Sequence, residues 1–577
     1  MSARSGYVQR GAAEKAVAKV NGGRLAAKAL KAEGVRYVFT VCEVVMAPYY
    51  EGCEAEGIRV IGMRSEQGAA TAADGWSRVT GKPGVAIFDF GPGFGNAYTG
   101  IMNANLTPSP VVYIGRGRYD PVQNDLGELM EIDRDYIELV RPITKWARIC
   151  YDAKRIPEYI GMAFRNALAG KPGPVYLEAV GLELFREMDE SQVYFPSHYR
   201  TEAKTYGDPN YISRAAQLIL HSNKPVVMAG GGVYWSEASE ELQSFATRLN
   251  TPVFLNGLGR GCVPPDHPLY FSYARRAALK DADLILVVGA PFDFRLNYGR
   301  PPAFAKKAKI IQIDIDQSEI GRNRDVDVGI VGAPKAVLTQ LIEEIKGKSR
   351  PDSGWLDFLR QLESEGVARD EKWMLSDMIP IHHLRVIGEL RHFLSPDDIV
   401  VGDGGFFVNF AARVLKVYKP GHWLDPGPMG CLGVGPGFAI AAKLAHPERR
   451  VVLLSGDGAF GFNGMELETM SRYGINVVTI VGNDGAWGME KHVPVWKGPA
   501  IAADLSQSTR YDIMAQGLGC HGELVERPEQ IRAALERAFN AAKPALVNVL
   551  LTGETSVYQA TGSGLFERME NSGFSRD

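Results

Sequence analysis

The fold is decided by one stretch, Arg450-Val-Val-Leu-Leu-Ser-Gly-Asp-Gly458, in which an apolar strand ends in two glycines around an acid. A helical pattern over residues 463–473 follows it, and a second apolar run, residues 475–481, leads into Gly482-Asn-Asp-Gly485. A strand, a crossing helix and a second strand make a βαβ unit. The pattern therefore predicts an open, parallel α/β sheet.

Two polar residues stand where these strands end. Asp457 and Asn483 are 26 residues apart, which is about one βαβ step. This spacing puts both at the carboxyl ends of neighbouring parallel strands, where open α/β sheets bind ligands. Asp457, Asn483 and the backbone carbonyl of Gly485 offer oxygens that suit Mg²⁺, and the glycines let the backbone approach a diphosphate closely. A plain turn at Gly-Asp-Gly is the alternative, and the second strand with its Asn counts against it.

The same alternation of short apolar runs and helical patterns fills three blocks of the chain. We predict an α/β protein with three doubly wound parallel-sheet domains, residues 20–190, 205–346 and 374–560. Polar segments rich in turn formers separate the blocks. The first and third blocks are expected to be similar folds that handle different halves of one ligand.

The composition of the 577-residue chain is that of an ordinary globular protein, with 45% hydrophobic and 23% charged residues. The formal net charge is −3, from 64 basic and 67 acidic residues, so we expect neither a nucleic acid nor a membrane as partner. Six cysteines form no C-x-x-C pair, which indicates reduced thiols and a cytoplasmic protein. Neither a secretory signal nor a membrane span is expected.

The segment around Asp457 and Asn483 resembles the thiamine-diphosphate motif, in which Gly-Asp-Gly is followed one βαβ step later by Asn-Asn. Here Gly482 replaces the first Asn of that pair. The resemblance extends over about residues 21–560 and points to the acetolactate-synthase-type group, which includes benzaldehyde lyase, oxalyl-CoA decarboxylase and 2-hydroxyacyl-CoA lyase. It implies thiamine diphosphate and Mg²⁺ as cofactors. It also implies a pyrimidine-binding first domain, a Rossmann-like central domain and a third domain that binds the diphosphate and the metal.

The resemblance further implies a glutamate from the first block. The run Gly62-Met-Arg-Ser-Glu66 is similar to the family's Arg-His-Glu pattern, and Glu66 would then exchange a proton with the aminopyrimidine ring of the cofactor. A first-turn glutamate favoured by the helix dipole is the plainer interpretation. Leu432 would hold the cofactor bent, and the Gly430 carbonyl would face the pyrimidine amino group. The other implied cofactor contacts are Gly456, Gly458, Ala459, Ala486 and Trp487.

Two histidines that many relatives place near the substrate are absent. The turn at residues 40–45 contains none, and Ser65 stands where a histidine usually precedes the glutamate. Acid–base work on the substrate must therefore come from other groups. The candidates are Glu490 and His492, which follow the metal motif, and Glu43 in the first block. A solvated charge cluster is the alternative for residues 487–492.

The central block could hold an adenine nucleotide or nothing, and the resemblance implies FAD or the ADP part of CoA as the candidate ligands. Arg275 and Arg295 would contact phosphates, and Asp314 would contact adenine or ribose. Residues 274–277 resemble the CoA-dependent members, whereas residues 292–296 resemble the acetolactate-synthase-like members. Both ligands therefore stay open.

The leading hypothesis for the reaction is thiamine-diphosphate-dependent cleavage of a carbon–carbon bond through an acyl-anion intermediate. The substrate would be a 2-hydroxyacyl-CoA thioester, and the products an aldehyde or ketone plus formyl-CoA. The alternatives are carboligation of 2-oxo acids, as in acetolactate synthases, and cleavage of 2-hydroxyketones, as in benzaldehyde lyase. The family pairs the glutamate of one subunit with the diphosphate site of another, so we expect a homodimer or homotetramer with shared active sites.

Overall fold

Three parallel sheets form the framework of the described part of the chain, as the sequence predicts. The computed structural model describes residues 19–89, 91–117, 136–350, 353–491 and 499–554. Helices cover both faces of each sheet, which is why strands such as Gly84–Phe88 and Leu284–Val288 are buried along their whole length. The strands are numbered β1–β19 in chain order.

The first sheet has six strands in the order β3-β2-β4-β5-β7-β6. An antiparallel ribbon of β1 and β8 borders it. The eight strands are β1 (Lys19–Asn21), β2 (Tyr37–Thr40), β3 (Arg59–Gly62), β4 (Gly84–Phe88), β5 (Val111–Gly117), β6 (Trp146–Cys150), β7 (Val175–Val180) and β8 (Glu187–Asp189). The α-helices are Gly22–Ala32, Ala47–Ala55, Glu66–Thr80, Pro92–Leu106, Tyr136–Val140, Ile156–Leu168 and Gly181–Phe185.

The central sheet has five strands in the order β10-β9-β11-β12-β13. They are β9 (Pro225–Ala229), β10 (Val253–Leu255), β11 (Leu284–Val288), β12 (Lys309–Asp314) and β13 (Val328–Val331). The α-helices of this region are Pro209–Leu220, Gly231–Trp235, Ser239–Leu249, Arg275–Asp281 and Pro334–Glu344. A long helix, Trp355–Met374, follows and leads to the third domain.

The third sheet has six strands in the order β15-β14-β16-β17-β19-β18. They are β14 (Ile399–Asp403), β15 (Trp423–Leu424), β16 (Val451–Gly456), β17 (Val478–Asn483), β18 (His521–Val525) and β19 (Ala545–Leu550). The α-helices are His383–Leu390, Phe406–Val414, Gly435–Ala445, Asp457–Asn463, Glu466–Tyr473, Gly488–Lys491, Tyr511–Gly517 and Ile531–Asn540.

The first and third sheets have the same topology. In each, the strands run second, first, third, fourth, sixth and fifth in chain order across the sheet. The two folds are therefore similar, as expected from the sequence, although their loops differ. Equivalent strand ends in the two domains can be compared directly as a result.

One core joins the first and third domains. Helix Glu66–Thr80 lies against helix Gly435–Ala445, and buried side chains of both helices belong to a single apolar cluster. Glycines make this close approach possible: a Cβ on Gly75 would lie 2.8 Å from the Phe438 Cα, and one on Gly437 would lie 2.3 Å from the Thr71 Oγ1. This contact holds the two predicted halves of the site together.

The limits of the three domains stay predictions, although the strands of each sheet lie inside the predicted ranges. The C-terminal end of the third range, residues 555–560, lies outside the described residues. Every helix of the described segments is too short or too polar to cross a lipid bilayer.

Candidate active site

The proposed metal ligands come from two adjacent strands. β16 and β17 pair in parallel with Gly456 opposite Gly482, so their carboxyl ends lie side by side. Asp457 begins the helix that follows β16, and Asn483 is the last residue of β17. The 26-residue spacing thus brings the two side chains to the same edge of the sheet.

Asp457 is a buried acid without a counterion in the described residues. Its side chain is only 2% exposed, and its Oδ2 has no hydrogen-bond partner there. Burial and the nearby carboxylate of Asp484 raise the pKa of Asp457 to about 7. A buried carboxylate oxygen without a donor is costly, and a divalent cation removes that cost. The environment of Asp457 therefore fits a metal ion.

Asn483 and Gly485 supply the neutral oxygens. The Asn483 Nδ2 donates to the Gln507 carbonyl at 3.1 Å and to the Asn548 Oδ1 at 3.3 Å, which fixes the amide group. Its Oδ1 accepts the Gly485 N–H at 3.2 Å and keeps a second lone pair. The Gly485 carbonyl accepts one hydrogen bond, from Leu505 N–H at 2.7 Å. One carboxylate, one amide and one carbonyl form a mixed oxygen set suited to Mg²⁺.

Open glycines border this edge of the sheet. A Cβ on Gly456 or Gly430 would meet no atom within 4 Å, so both positions face free space that a diphosphate or a ring can fill. Gly458 differs, because a Cβ there would lie 2.7 Å from the Trp487 ring. The ring thus rests on the backbone after Asp457. Ala459 and Ala486, two of the other implied contacts, are buried beside the same strand ends.

Asp403 fixes the loop that contains Gly430 and Leu432. It is the last residue of β14, and its carboxylate accepts the N–H groups of Gly433 at 3.1 Å and Gly435 at 2.9 Å. Complete burial raises the pKa of Asp403 to about 6. Sequence reasoning missed this residue. An acid that ends an apolar strand and precedes two glycines was the available signal.

Glu66 is a buried acid at the start of a helix. Ser65 caps helix Glu66–Thr80 by accepting the Gly68 N–H at 2.9 Å. The Glu66 side chain is 8% exposed, and one of its oxygens accepts the Asn96 Nδ2 at 3.0 Å. A Cβ on Gly93 would lie 3.6 Å from the other oxygen, so small residues line this side of the carboxyl. The site can hold a carboxyl group that shares a proton with a ligand nitrogen.

The two halves of the site meet within one chain. The Gln67 Nε2, next to Glu66, donates to the Leu432 carbonyl at 3.0 Å. The glutamate of the first domain thus lies beside the loop that carries the proposed cofactor support, Leu432. Because the contact is internal, the meeting of the halves does not itself require a second chain. The homodimer or homotetramer with shared active sites stays a prediction.

Glu43, the proposed acid–base group of the first domain, is influenced electrostatically by Glu66. Burial raises the pKa of Glu43, and the nearby carboxylates of Asp89 and Glu66 raise it further. Sequence reasoning missed Asp89, which directly follows β4 and lies 4.0 Å from Arg116. Three carboxyl groups therefore gather on the first-domain side of the site.

The other proposed acid–base groups lie beyond Trp487. Glu490 is exposed on the short helix Gly488–Lys491, which begins directly after that tryptophan. Lys491 on the same helix pairs with Asp504 at 2.6 Å. His492 lies outside the described residues.

The proposed nucleotide contacts of the central domain are already engaged with other protein groups. Arg295 pairs with Asp293 at 2.6 Å, so a phosphate would have to displace that acid. Asp314 ends β12, is 8% exposed and accepts the Asp316 N–H at 2.9 Å, and burial raises its pKa to about 6. Arg275 begins helix Arg275–Asp281. FAD and the ADP part of CoA both stay predictions for this domain.

Three family models match successive parts of the chain. They are those of the thiamine pyrophosphate enzyme N-terminal TPP-binding domain at residues 20–134, the central domain at residues 212–341 and the C-terminal TPP-binding domain at residues 403–549. The matches follow the order of the three sheets.

The chain is also similar along most of its length to several other proteins. It is 40% identical over 541 residues to a probable acetolactate synthase of Mycobacterium bovis, covering 92% of this chain and 96% of that protein. It is 33% identical over 579 residues to 2-hydroxyacyl-CoA lyase 2 of Bos taurus, covering 92% and 90%. A 2-hydroxyacyl-CoA lyase of Oryza sativa subsp. japonica is 30% identical over 558 residues, covering 93% and 96%. These similarities do not confirm the lyase hypothesis, and they favour its acetolactate-synthase-like alternative.

Proposed function

The chain belongs to the thiamine pyrophosphate enzyme family, and on that premise we propose that it is a magnesium-dependent carboligase that joins 2-oxo acids, as acetolactate synthases do. The observation that carries the cofactor assignment is the buried Asp457 Oδ2, which lacks a partner among the described residues, beside Asn483. A divalent cation would neutralise that buried carboxylate, and diphosphate oxygens and waters would complete its set of oxygen ligands. Asp457, Asn483 and the Gly485 carbonyl would hold that ion.

The residues of the first domain would prepare the reactive end of the cofactor. When bound, thiamine diphosphate supplies the electron sink that lets a bond next to a carbonyl form or break. Glu66 would hold a proton at the pyrimidine ring, and Asn96 would orient its carboxyl group. Leu432 would support the ring from the third domain. Glu43, whose pKa is raised by burial and by the carboxylates of Asp89 and Glu66, would move a proton to or from the substrate.

The choice of 2-oxo acids rests on the relatives. Identity is 40% to the acetolactate synthase and 33% and 30% to the two lyases, at nearly equal coverage. Cleavage of 2-hydroxyacyl-CoA is the second candidate, since two of the relatives bear that name.

A substrate comparison tests the proposal. The purified chain is loaded with thiamine diphosphate and Mg²⁺ and given pyruvate, a 2-hydroxyacyl-CoA or benzoin in separate reactions, and the products are identified by mass spectrometry. Acetolactate from pyruvate is the expected product. Formyl-CoA release without acetolactate would replace the carboligase with the lyase. Benzaldehyde from benzoin alone would replace it with a hydroxyketone lyase. The Asp457→Ala variant, which lacks a proposed metal ligand, is the negative control.

We also propose a cytoplasmic homodimer or homotetramer. Five of the six cysteines are buried, and all six are free, which suits a reducing compartment. Light scattering of the loaded protein tests the assembly, and a monomer that turns over pyruvate would contradict it.

A further inference from the structure

The start of the Glu66 helix is held from the third domain by one buried acid. Glu466 is 0% exposed, and its Oε1 accepts the backbone N–H groups of Arg64 at 3.0 Å and Ser65 at 3.2 Å. Its Oε2 accepts the Thr469 hydroxyl at 2.7 Å. Some 400 residues of chain separate the acid from the two amides that it binds. These amides immediately precede Glu66, so their position sets where its side chain starts.

Asn463, three residues before Glu466, ties the same helix start to the loop of Leu432. The Ser65 hydroxyl donates to the Asn463 Oδ1 at 2.8 Å while it caps the helix. The Asn463 Nδ2 donates to the Gly433 carbonyl at 2.8 Å. The amide side chain therefore touches both halves of the candidate site at once. It links the cap of the Glu66 helix to the residue after Leu432.

We propose that Asn463 and Glu466, here called the 463–466 clamp, are positioning residues that fix Glu66 relative to Leu432. This inference rests on the proposed function, because it assigns the clamp to the proton exchange at the cofactor. The clamp touches no reacting atom. It acts through the backbone of Arg64 and Ser65 and through the Gly433 carbonyl.

Burying the Glu466 carboxyl group costs free energy that an apolar side chain would not cost. This supports a role of the clamp in positioning rather than in packing alone. Burial raises the pKa of Glu466 to about 7, and the hydrogen bonds from Thr469, Arg64 and Ser65, with the charge of Arg472, only partly offset this. Arg64 and Glu468 are the other charged groups at this contact, and they pair at 3.9 Å. An apolar side chain of similar volume would avoid the desolvation cost. The acid also requires a glycine at position 68, since a Cβ there would lie 2.3 Å from the Glu466 Oε1.

Amide hydrogen exchange of the cofactor-free chain tests the clamp without any turnover. In Glu466→Leu, the amides of Arg64 and Ser65 lose their acceptor, and we expect their exchange to accelerate by at least tenfold. Glu466→Gln keeps an acceptor oxygen and should restore most of the protection. The Met63 amide, which donates to the Thr40 carbonyl at 2.7 Å, is the internal control. Equal exchange of Arg64 and Ser65 in wild type and Glu466→Leu would overturn the contact.

Deuterium exchange at the thiazolium carbon of bound cofactor tests its consequence. We expect Glu466→Leu to slow this exchange at least tenfold at saturating thiamine diphosphate, whereas the dissociation constant of the cofactor changes less than threefold. Glu466→Gln should recover most of the rate. Glu468→Gln removes a partly exposed acid of the same helix and serves as the charge control. The proposal would be wrong if Glu466→Leu lowered the exchange rate and the cofactor affinity together and Glu466→Gln recovered neither. The clamp would then be a structural contact only.

Asn463→Asp covers the case in which Glu466→Leu does not fold. It keeps the acceptor for Ser65 and places an oxygen against the Gly433 carbonyl, so we expect a slower thiazolium exchange, and thermal unfolding checks that the variant still folds. An unchanged rate would contradict the proposal. Failure of the proposed function looks different: Glu66→Gln would then leave the exchange at its wild-type rate as well. A slow Glu66→Gln together with wild-type rates in both clamp variants would refute the clamp alone.

Discussion

The first and third domains have the same strand order but place their acids differently. After the third strand in chain order, the first domain has Asp89, which lies near Arg116, and the third has Asp457, whose Oδ2 has no partner in the described residues. After the second strand, one helix begins with Glu66 and the other with Gly435. In the proposed function, one scaffold would offer a proton-sharing acid, Glu66, on one side and a cation-binding acid, Asp457, on the other. The residue at each strand end, rather than the fold, divides the chemistry.

The largest effect is expected on cofactor binding, when the acids at the equivalent strand ends of the two domains are replaced. Asp457→Ala removes the only carboxylate of the proposed cation site, so binding of thiamine diphosphate in the presence of Mg²⁺ should weaken by more than about 100-fold. Asp89→Asn, at the equivalent position of the first domain, should leave that binding almost intact. Isothermal titration of both variants measures the difference. Equal losses of cofactor affinity in the two variants would show that Asp89 and Asp457 do not have different roles in cofactor binding.

A pH effect of intermediate size is expected at the contact between the domains. Because burial raises the pKa of Glu466 to about 7 from its ordinary 4.5, the native chain binds this proton more tightly than the unfolded chain. The resulting stability is fully present below about pH 4.5 and is lost as the pH rises through about 7. Relative to Glu466→Gln, the free energy of unfolding of the wild type should fall by up to about 1.4 kcal/mol per pH unit in this window.

Chemical denaturation of both proteins at several pH values measures this difference. The comparison cancels the contributions of other buried acids such as Asp403, which both proteins share. A constant difference across the window would mean that Glu466 is ionised alike in the native and unfolded chains.

The smallest effect is expected from crowding the two packed helices. Gly437→Ala adds a methyl group that would lie 2.3 Å from the Thr71 Oγ1, and overpacking of this kind costs about 1–3 kcal/mol. Gly461→Ala is the matched control, because a Cβ there meets no atom within 4 Å. Thermal unfolding should separate the two variants. Identical transitions would indicate that the first and third domains do not share one core.

Much of this arrangement could be predicted from local patterns. The spacing of Asp457 and Asn483 predicted their adjacency, because one βαβ step usually returns to a neighbouring strand end. Glu466 could not be found this way, since it has the signature of a first-turn helix acid on a surface. Only the packing of a helix 400 residues earlier in the chain buries it. Asp403 did have a local signal, an acid at a strand end before two glycines, but its partners Gly433 and Gly435 are set by tertiary contact.

The preference for a substrate was the part of the function least accessible to sequence patterns. Because two histidines are absent, Glu490 and Glu43 were the predicted acid–base groups. Glu490 is exposed, and burial and the carboxylates of Asp89 and Glu66 raise the pKa of Glu43. Substrate choice depends on small differences among groups around the reactive carbon, and spacing rules do not encode those differences.

We propose that the first and third domains jointly activate one cofactor. Deuterium exchange at the thiazolium carbon tests this proposal most directly. The wild-type chain loaded with thiamine diphosphate and Mg²⁺ is compared with Glu66→Gln, using rapid acid quench and NMR. We predict that the variant still binds the cofactor and exchanges this proton more slowly by a factor of about 10²–10⁴. Exchange at the wild-type rate in Glu66→Gln would contradict the account.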